Sequence, residues 1–364
     1  MRIKMMALAA ISALASWAAP ALADPGDRIN GAPILDRLDP AALARGQVHR
    51  FYFRAGDQNT GQGWYVPVMV LAGAKPGPRL LLTAAIHGDE LNGIAVIHRL
   101  FAEIDPKTLA GTLVAVPGMN TPGMIAHNRN LPYSNDGGGG VNLNRIMPGN
   151  PDSDDFGAFY AGRLWSNVLA RGADRAIDLH TQSRGTLYPM YAFADPTVPA
   201  ARRMADLVRP DMIKLDPGQK GTLETALNEA GIPAITLELG APKVFQEKMI
   251  ARGVEGVKNV MRDMKMLEGA PSLGGSAPFI GNQAVSVRAR RGGIANVLVG
   301  IGDEVKAGQP VATISDPFGR VTDRYAAPVA GRVVSIGDDP LREPGGLLVR
   351  VLTMSSDPRC ANGC

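Results

Sequence analysis

Cysteine is nearly missing from this sequence: two are present, Cys360 and Cys364, both within the last five of 364 residues. That makes them a tail feature and leaves cysteine out of any site. In an oxidising compartment they can pair, although so short a loop adds little stability. Histidine is scarce too, five in all, so each can be weighed separately. An excess of one charge is also lacking. The 38 basic residues face 34 acids, and two of the positive charges, Arg2 and Lys4, lie in a segment expected to be removed. A nucleic acid partner, which needs a concentrated basic face, is not expected. What is present is ordinary globular material: 45% apolar and 20% charged residues exclude a disordered or fibrous chain. The length suits two domains. Gly at 43 and Pro at 28 favour turns and long loops over a helix bundle.

At the N-terminus, Arg2 and Lys4 precede an apolar, Ala-rich stretch from Met5 to Ala19. Pro20 and the small-x-small site Ala21-Leu22-Ala23 follow, before Asp24. The pattern is that of a secretory signal peptide over residues 1–23, and its apolar part is short for a membrane span. The mature chain is expected in the periplasm or secreted, with no membrane span after cleavage.

Strand-like runs then alternate with helical spacing. Leu80 to Ile86 reads as a buried strand ending at His87-Gly88-Asp89-Glu90, after which Leu91, Ile94, Ile97 and Phe101 recur at helical intervals. Further strands are expected over 112–116, 175–179 and 234–239, and helices over about 156–171, 198–208 and 221–230. Such alternation predicts an α/β domain with a sheet flanked by helices, spanning residues 24–282, with functional residues at strand ends. Past the Gly/Pro/Ser-rich stretch 269–282 no helical period survives. Short strands and turns predict an all-β domain over residues 283–354, followed by a tail over 355–364.

His87 and Glu90 stand three apart at a strand-to-helix turn, where both can point into one concavity. A hydrolytic zinc site commonly takes two histidines and one carboxylate, leaving a position for water. His180, at the end of Ile177-Asp178-Leu179-His180, is the best second imidazole, with Asp178 on the same strand face as its partner. His49, His98 and His127 sit in blander contexts. Spacing alone does not separate a ligand set from chance.

Four motifs taken together are more specific: His87-Gly-Asp-Glu90, Asn142-Leu-Asn-Arg145 with Pro148-Gly149, Asp178-Leu-His180-Thr181, and Thr236-Leu-Glu238-Leu-Gly240. In order and spacing they resemble the succinylglutamate desuccinylase/aspartoacylase family of the zinc carboxypeptidase-like clan. The resemblance spans about residues 45–354. It implies a zinc-carboxypeptidase-like mixed sheet and one zinc ion held by His87, Glu90 and His180. It also implies Glu238 as general base, and Asn144 with Arg145 as the group that binds a substrate carboxylate or carbonyl oxygen. The best-known members are cytoplasmic, so the expected export departs from the family. The chemistry agrees with the residues. An acid inside the apolar strand 234–239 is disfavoured unless paired or functional, and an arginine grips a carboxylate with two prongs where lysine cannot. Arg129 reads as a solvated loop residue, and Arg184 as either an extra anion contact or surface.

Gly302 to Val311 and Ala327 to Val334 resemble the half-motifs of lipoyl and biotinyl carrier domains, predicting a barrel-sandwich-like C-terminal domain. A carrier needs a lysine on the hairpin between the halves, and 315–324 holds none. The sequence therefore points to an exported zinc-dependent amide hydrolase acting on an N-acyl amino acid or similar small amide. The alternative in the same clan is a metallocarboxypeptidase acting on peptides, cell-wall peptides included. A non-catalytic adaptor leaves the metal motifs unexplained. The expected partner is a small-molecule or short-peptide substrate bearing a carboxylate.

Overall fold

A computed structural model describes residues 27–132, 140–171 and 173–364. The expected signal peptide, residues 1–23, lies outside the described residues. Among those described, no helix is long and apolar enough to cross a membrane.

The larger part is built on a mixed sheet of eleven strands. Its centre runs Gly63–Ala72, Ala110–Val116, Lys75–Ala84, Arg175–His180, Ala234–Leu239, Met190–Ala194. Lys75–Ala84, Arg175–His180 and Ala234–Leu239 are parallel, whereas Met190–Ala194 runs antiparallel to Ala234–Leu239. The expected helices appear as Asn92–Glu103, Phe156–Asn167, Pro199–Leu207 and Leu223–Glu229. The longest, Glu247–Asp263, was not anticipated from the sequence.

Side chains on a strand alternate between faces, and here the two faces differ. On one, Leu80, Leu82, Ile177, Leu179, Ile235 and Leu237 pack against Val96, Met204 and Val257 of the helices covering them. Burying each such side chain stabilises by roughly 1.5–3 kcal/mol. On the other face Leu81, Ala176 and Ala234 are apolar and pack with Leu164 and Leu227. Toward the carboxyl ends of the same strands that face turns polar, through Thr83, Asp178, His180, Thr236 and Glu238, all buried. Strand register sets these side by side, with Thr83 opposite Asp178, Thr236 opposite Asp178 and Glu238 opposite His180. An apolar face that changes character at its strand ends is what builds the site.

Phe279–Gly281 is the last strand of the large sheet, paired with Met212–Leu215. From Gln283 onward the chain forms two smaller sheets, one around Gly331–Gly337 and Leu347–Thr353, the other around Gly293–Val297 and Pro310–Ser315. They share one core of Val287, Val311, Ile314, Tyr325, Val333 and Val349. This is a sandwich, and no closed barrel is formed among the described residues. Thr186–Leu187 of the larger part adds a strand to Gly331–Gly337, tying the two together. Cys360 and Cys364 form a disulfide, and the tail is held by Asn282, whose Nδ2 donates to Cys360 O at 2.8 Å.

Candidate active site

The strand Lys75–Ala84 ends on Ala85, which takes the left-handed backbone conformation at φ 56° and turns the chain toward His87. Gly88 follows because nothing larger fits: a Cβ there would lie 2.2 Å from the backbone of Gly123. The Gly88 N–H donates to Arg129 O at 3.1 Å, which brings the loop carrying Arg129 against the turn.

His87, Glu90 and His180 come together, each offering one ligand atom within 4.8 Å of the others, and all three are buried. Asn142 Oδ1 accepts from the Asn144 N–H at 2.9 Å, which identifies that atom as the oxygen. His87 Nε2, 3.1 Å from the same oxygen, must therefore be the protonated nitrogen, leaving a lone pair on Nδ1. His180 Nε2–H donates to Asp178 Oδ2 at 2.6 Å, and Asp178 Oδ1 accepts from Thr83 Oγ1 at 2.7 Å. Both imidazoles thus turn Nδ1 toward Glu90. His87 Nδ1 lies 3.0 Å from Glu90 Oε1 without a well-formed hydrogen bond, and His180 Nδ1 lies 3.0 Å from Oε2. At His87 an unpartnered nitrogen lone pair faces a carboxylate oxygen, a contact that a shared cation relieves. The donor set and its orienting partners fit a zinc ion.

Burial would push Glu90 up, but His87 and His180 hold it well below the usual carboxylate range. Burial lowers His87. It works the same way on His180, where Asp178 and Glu90 prevail and carry the imidazole well above its ordinary value. Burial pushes Glu238 up to about 8, with His180 opposing. Its Oε2 is buried and has no hydrogen-bond partner.

A cavity of about 310 Å3 opens on this cluster, lined by His87, His180 and Glu238 together with Arg129, Asn144 and Arg145. Depressions of about 680 and 540 Å3 elsewhere contain none of the three donors, so the smaller cavity is the one with the chemistry. Asn144 Oδ1 accepts from the Leu223 N–H at 2.8 Å, leaving Nδ2 as the amide's donor toward the cavity. Arg145 Nη1 donates to Asn144 O at 2.6 Å. Burial and the neighbouring Arg129 lower the Arg145 guanidinium, as expected where two cations crowd one wall.

One sequence expectation is corrected here, for Arg129, and one that was left open, for Arg184, is decided. Arg129 is not a solvated loop residue: it pairs with Glu90 and lines the cavity. Arg184 gives no contact to this cavity and lies instead beside Arg342 and Asp339 in a separate depression. Sequence reasoning also passed over Arg350 and Glu224. Arg350 reaches the cavity from the C-terminal sheet, donating to Tyr188 Oη at 2.8 Å. His98 sits on the wall of the 540 Å3 depression, and His49 Nε2 is 2.8 Å from Ala44 O, both away from the cluster.

The mixed α/β sheet carries a buried His-Glu-His group at its strand ends, a donor set of the kind that serves hydrolysis. A family model for the succinylglutamate desuccinylase/aspartoacylase catalytic domain matches residues 76–264, and the chain belongs to that family, whose members hydrolyse amide bonds. The N-alpha-acetyl-L-2,4-diaminobutyric acid deacetylase of Halomonas elongata is 26% identical over 290 residues, covering 76% of this chain and 81% of that protein. A succinylglutamate desuccinylase/aspartoacylase structure from Rhodobacter sphaeroides superposes with a TM-score of 0.76 at 23% identity, covering 89% of this chain and 100% of that one. The product-bound ectoine utilization protein EutE from Ruegeria pomeroyi gives 0.75 at 24%, covering 88% and 99%. At these identities the structural likenesses establish the fold.

Proposed function

We propose that the protein is an exported, zinc-dependent deacylase that removes an acyl group from an N-acyl amino acid. The observation that carries this is the convergence of His87 Nδ1, Glu90 and His180 Nδ1 in one cavity with the unpartnered Oε2 of Glu238. The Halomonas relative, named for an acetylated amino acid, supports a substrate of that size.

His87, Glu90 and His180 hold the metal, oriented by Asn142, Arg129 and Asp178. Bound there, zinc supplies Lewis acidity and makes a water ionisable near neutral pH. Glu238 Oε2 takes a proton from the attacking water and returns it to the leaving amine nitrogen. A carboxyl raised by burial is a base suited to this, because its affinity for protons lies near the working pH. Arg145 holds the carboxylate of the amino-acid part, with Arg129 adding positive potential, and Asn144 Nδ2 donates to a substrate oxygen. Arg350, from the C-terminal sheet, lines the cavity beside Tyr188, to whose hydroxyl it donates.

The test is metal analysis of the purified protein, followed by a hydrolysis screen of N-acetyl amino acids beside peptides with a free carboxylate. Stoichiometric zinc and turnover of N-acetyl amino acids are expected. Turnover confined to the peptides would replace the deacylase by a carboxypeptidase.

A further inference from the structure

One buried acid in the catalytic cavity has no part in the chemistry above. Glu224 lies in the first turn of the helix Leu223–Glu229 and is 5% exposed. Its Oε2 accepts from Thr236 Oγ1 at 2.7 Å, while Oε1 is buried with no hydrogen-bond partner. No lysine or arginine pairs with it among the described residues. Leaving a buried carboxylate oxygen unbonded is costly, and a protein tolerates it where a ligand completes the site.

The position is held from several sides. Thr236 and Glu238 are two residues apart and share a strand face, so they stand about 6.5 Å apart along the strand. The helix bearing Glu224 is tied to the Asn144–Arg145 segment, where the Leu223 N–H donates to Asn144 Oδ1 at 2.8 Å. Gly221, just before that helix, packs directly on Arg145: a Cβ there would lie 2.2 Å from Arg145 O. Glu224 is thus placed as firmly as the residues assigned to the reaction.

The cavity lining carries charges of both signs: Arg129, Arg145 and Arg350, and the acids Glu224 and Asp216. Asp216 is already paired with Lys214 at 2.5 Å, so Glu224 is the acid left without a cation. Burial raises the Glu224 carboxyl to about 8, and Asp216, Asp178 and Asp195 add to the effect. An acidic substrate group beside Glu224 would meet repulsion, and an apolar one would leave Oε1 unbonded. A primary ammonium supplies both a compensating charge and donors that can turn toward Oε1.

We propose that Glu224 receives a protonated amine on the side chain of the substrate, so that the preferred substrate is an N-acyl diamino acid. Its carboxylate lies at Arg145, its acyl amide at the His87–Glu90–His180 cluster, and its second amine at Glu224 Oε1. This rests on the deacylase reading and adds its specificity.

The experiment compares two N-acetyl amino acids of nearly equal shape, N-alpha-acetyl-2,4-diaminobutyrate and N-acetylnorvaline, in which a methyl replaces the ammonium. Wild type is expected to prefer the first. Glu224→Gln should lower that preference by roughly 10–100-fold, expressed mainly in KM, as for loss of a hydrogen bond to a charged partner. Thr236→Val, which frees the carboxylate from its anchor, should lower it in the same direction. Calorimetric titration with free L-2,4-diaminobutyrate gives a readout that needs no turnover: wild type should bind it and Glu224→Gln should bind it more weakly. An unchanged preference in Glu224→Gln, or wild type favouring norvaline, overturns the proposal. Absence of turnover with any N-acyl amino acid, together with Glu224-dependent binding of the diamino acid, would remove the deacylase reading and leave the amine subsite standing. Absence of both would remove the two together.

Discussion

Glu238 stands directly opposite His180 in the parallel pairing of Ala234–Leu239 with Arg175–His180. The strand that ends in an imidazole therefore has, as its hydrogen-bonded neighbour, the strand that carries a buried carboxylate at the same level. Backbone register, not loop geometry, fixes the spacing between the proposed ligand and the proposed base. A site built this way depends on the rigid centre of the sheet, the arrangement that holds reacting groups most accurately.

The metal assignment makes a comparative prediction. His87→Ala and His180→Ala should each lose bound zinc and activity together, while His98→Ala, on the wall of the apolar depression, should retain both. Asp178→Asn, which weakens the acceptor for His180 Nε2–H, should reduce zinc affinity by about 10–100-fold. Metal content and competition with a chelator check this. Full zinc in both histidine variants would refute the ligand set.

Arg145 is expected to act on binding. Arg145→Lys keeps the charge but loses the planar fork, so KM for an N-acyl amino acid should rise by roughly 10–100-fold with a smaller change in kcat. Steady-state kinetics on an N-acyl amino acid and its carboxamide analogue make the check. An unaltered preference for the carboxylate form in the variant means that Arg145 is not the clamp.

The proposed export predicts a mature chain that begins at Asp24, after Ala21-Leu22-Ala23. N-terminal sequencing of protein recovered from the periplasmic or external fraction decides. A chain that keeps Met1, or is found only inside the cell, removes the argument.

Much of the site was legible because strand ends are. Apolar runs that stop on His87 and His180, and one that carries Glu238 inside it, mark the places where one sheet face turns polar, and a period of two shows which residues share that face. What escaped depends on tertiary contacts. Arg129 is a loop residue by any local criterion, and only the approach of its backbone to Gly88 carries its guanidinium to Glu90. Glu224 reads as a first-turn acid of a short helix, and its inward turn to Thr236 has no local signal. The alternation of strands and helices does not reveal that Met190–Ala194 runs antiparallel to its neighbour. In Glu247–Asp263 the apolar positions Ile250, Val254, Val257 and Met261 do recur at helical spacing, but Gly253 and Gly256 weaken the pattern as a helix.

In the proposed reaction Glu238 moves protons and holds neither the metal nor the substrate. Glu238→Gln preserves shape and removes only the ability to accept a proton. Metal content, substrate affinity and single-turnover rate should be measured on the same preparation. The account predicts full zinc, a KM close to that of wild type, and a kcat lower by roughly 10²–10⁴-fold. A variant that loses its zinc, or one that turns over at the wild-type rate, would contradict it.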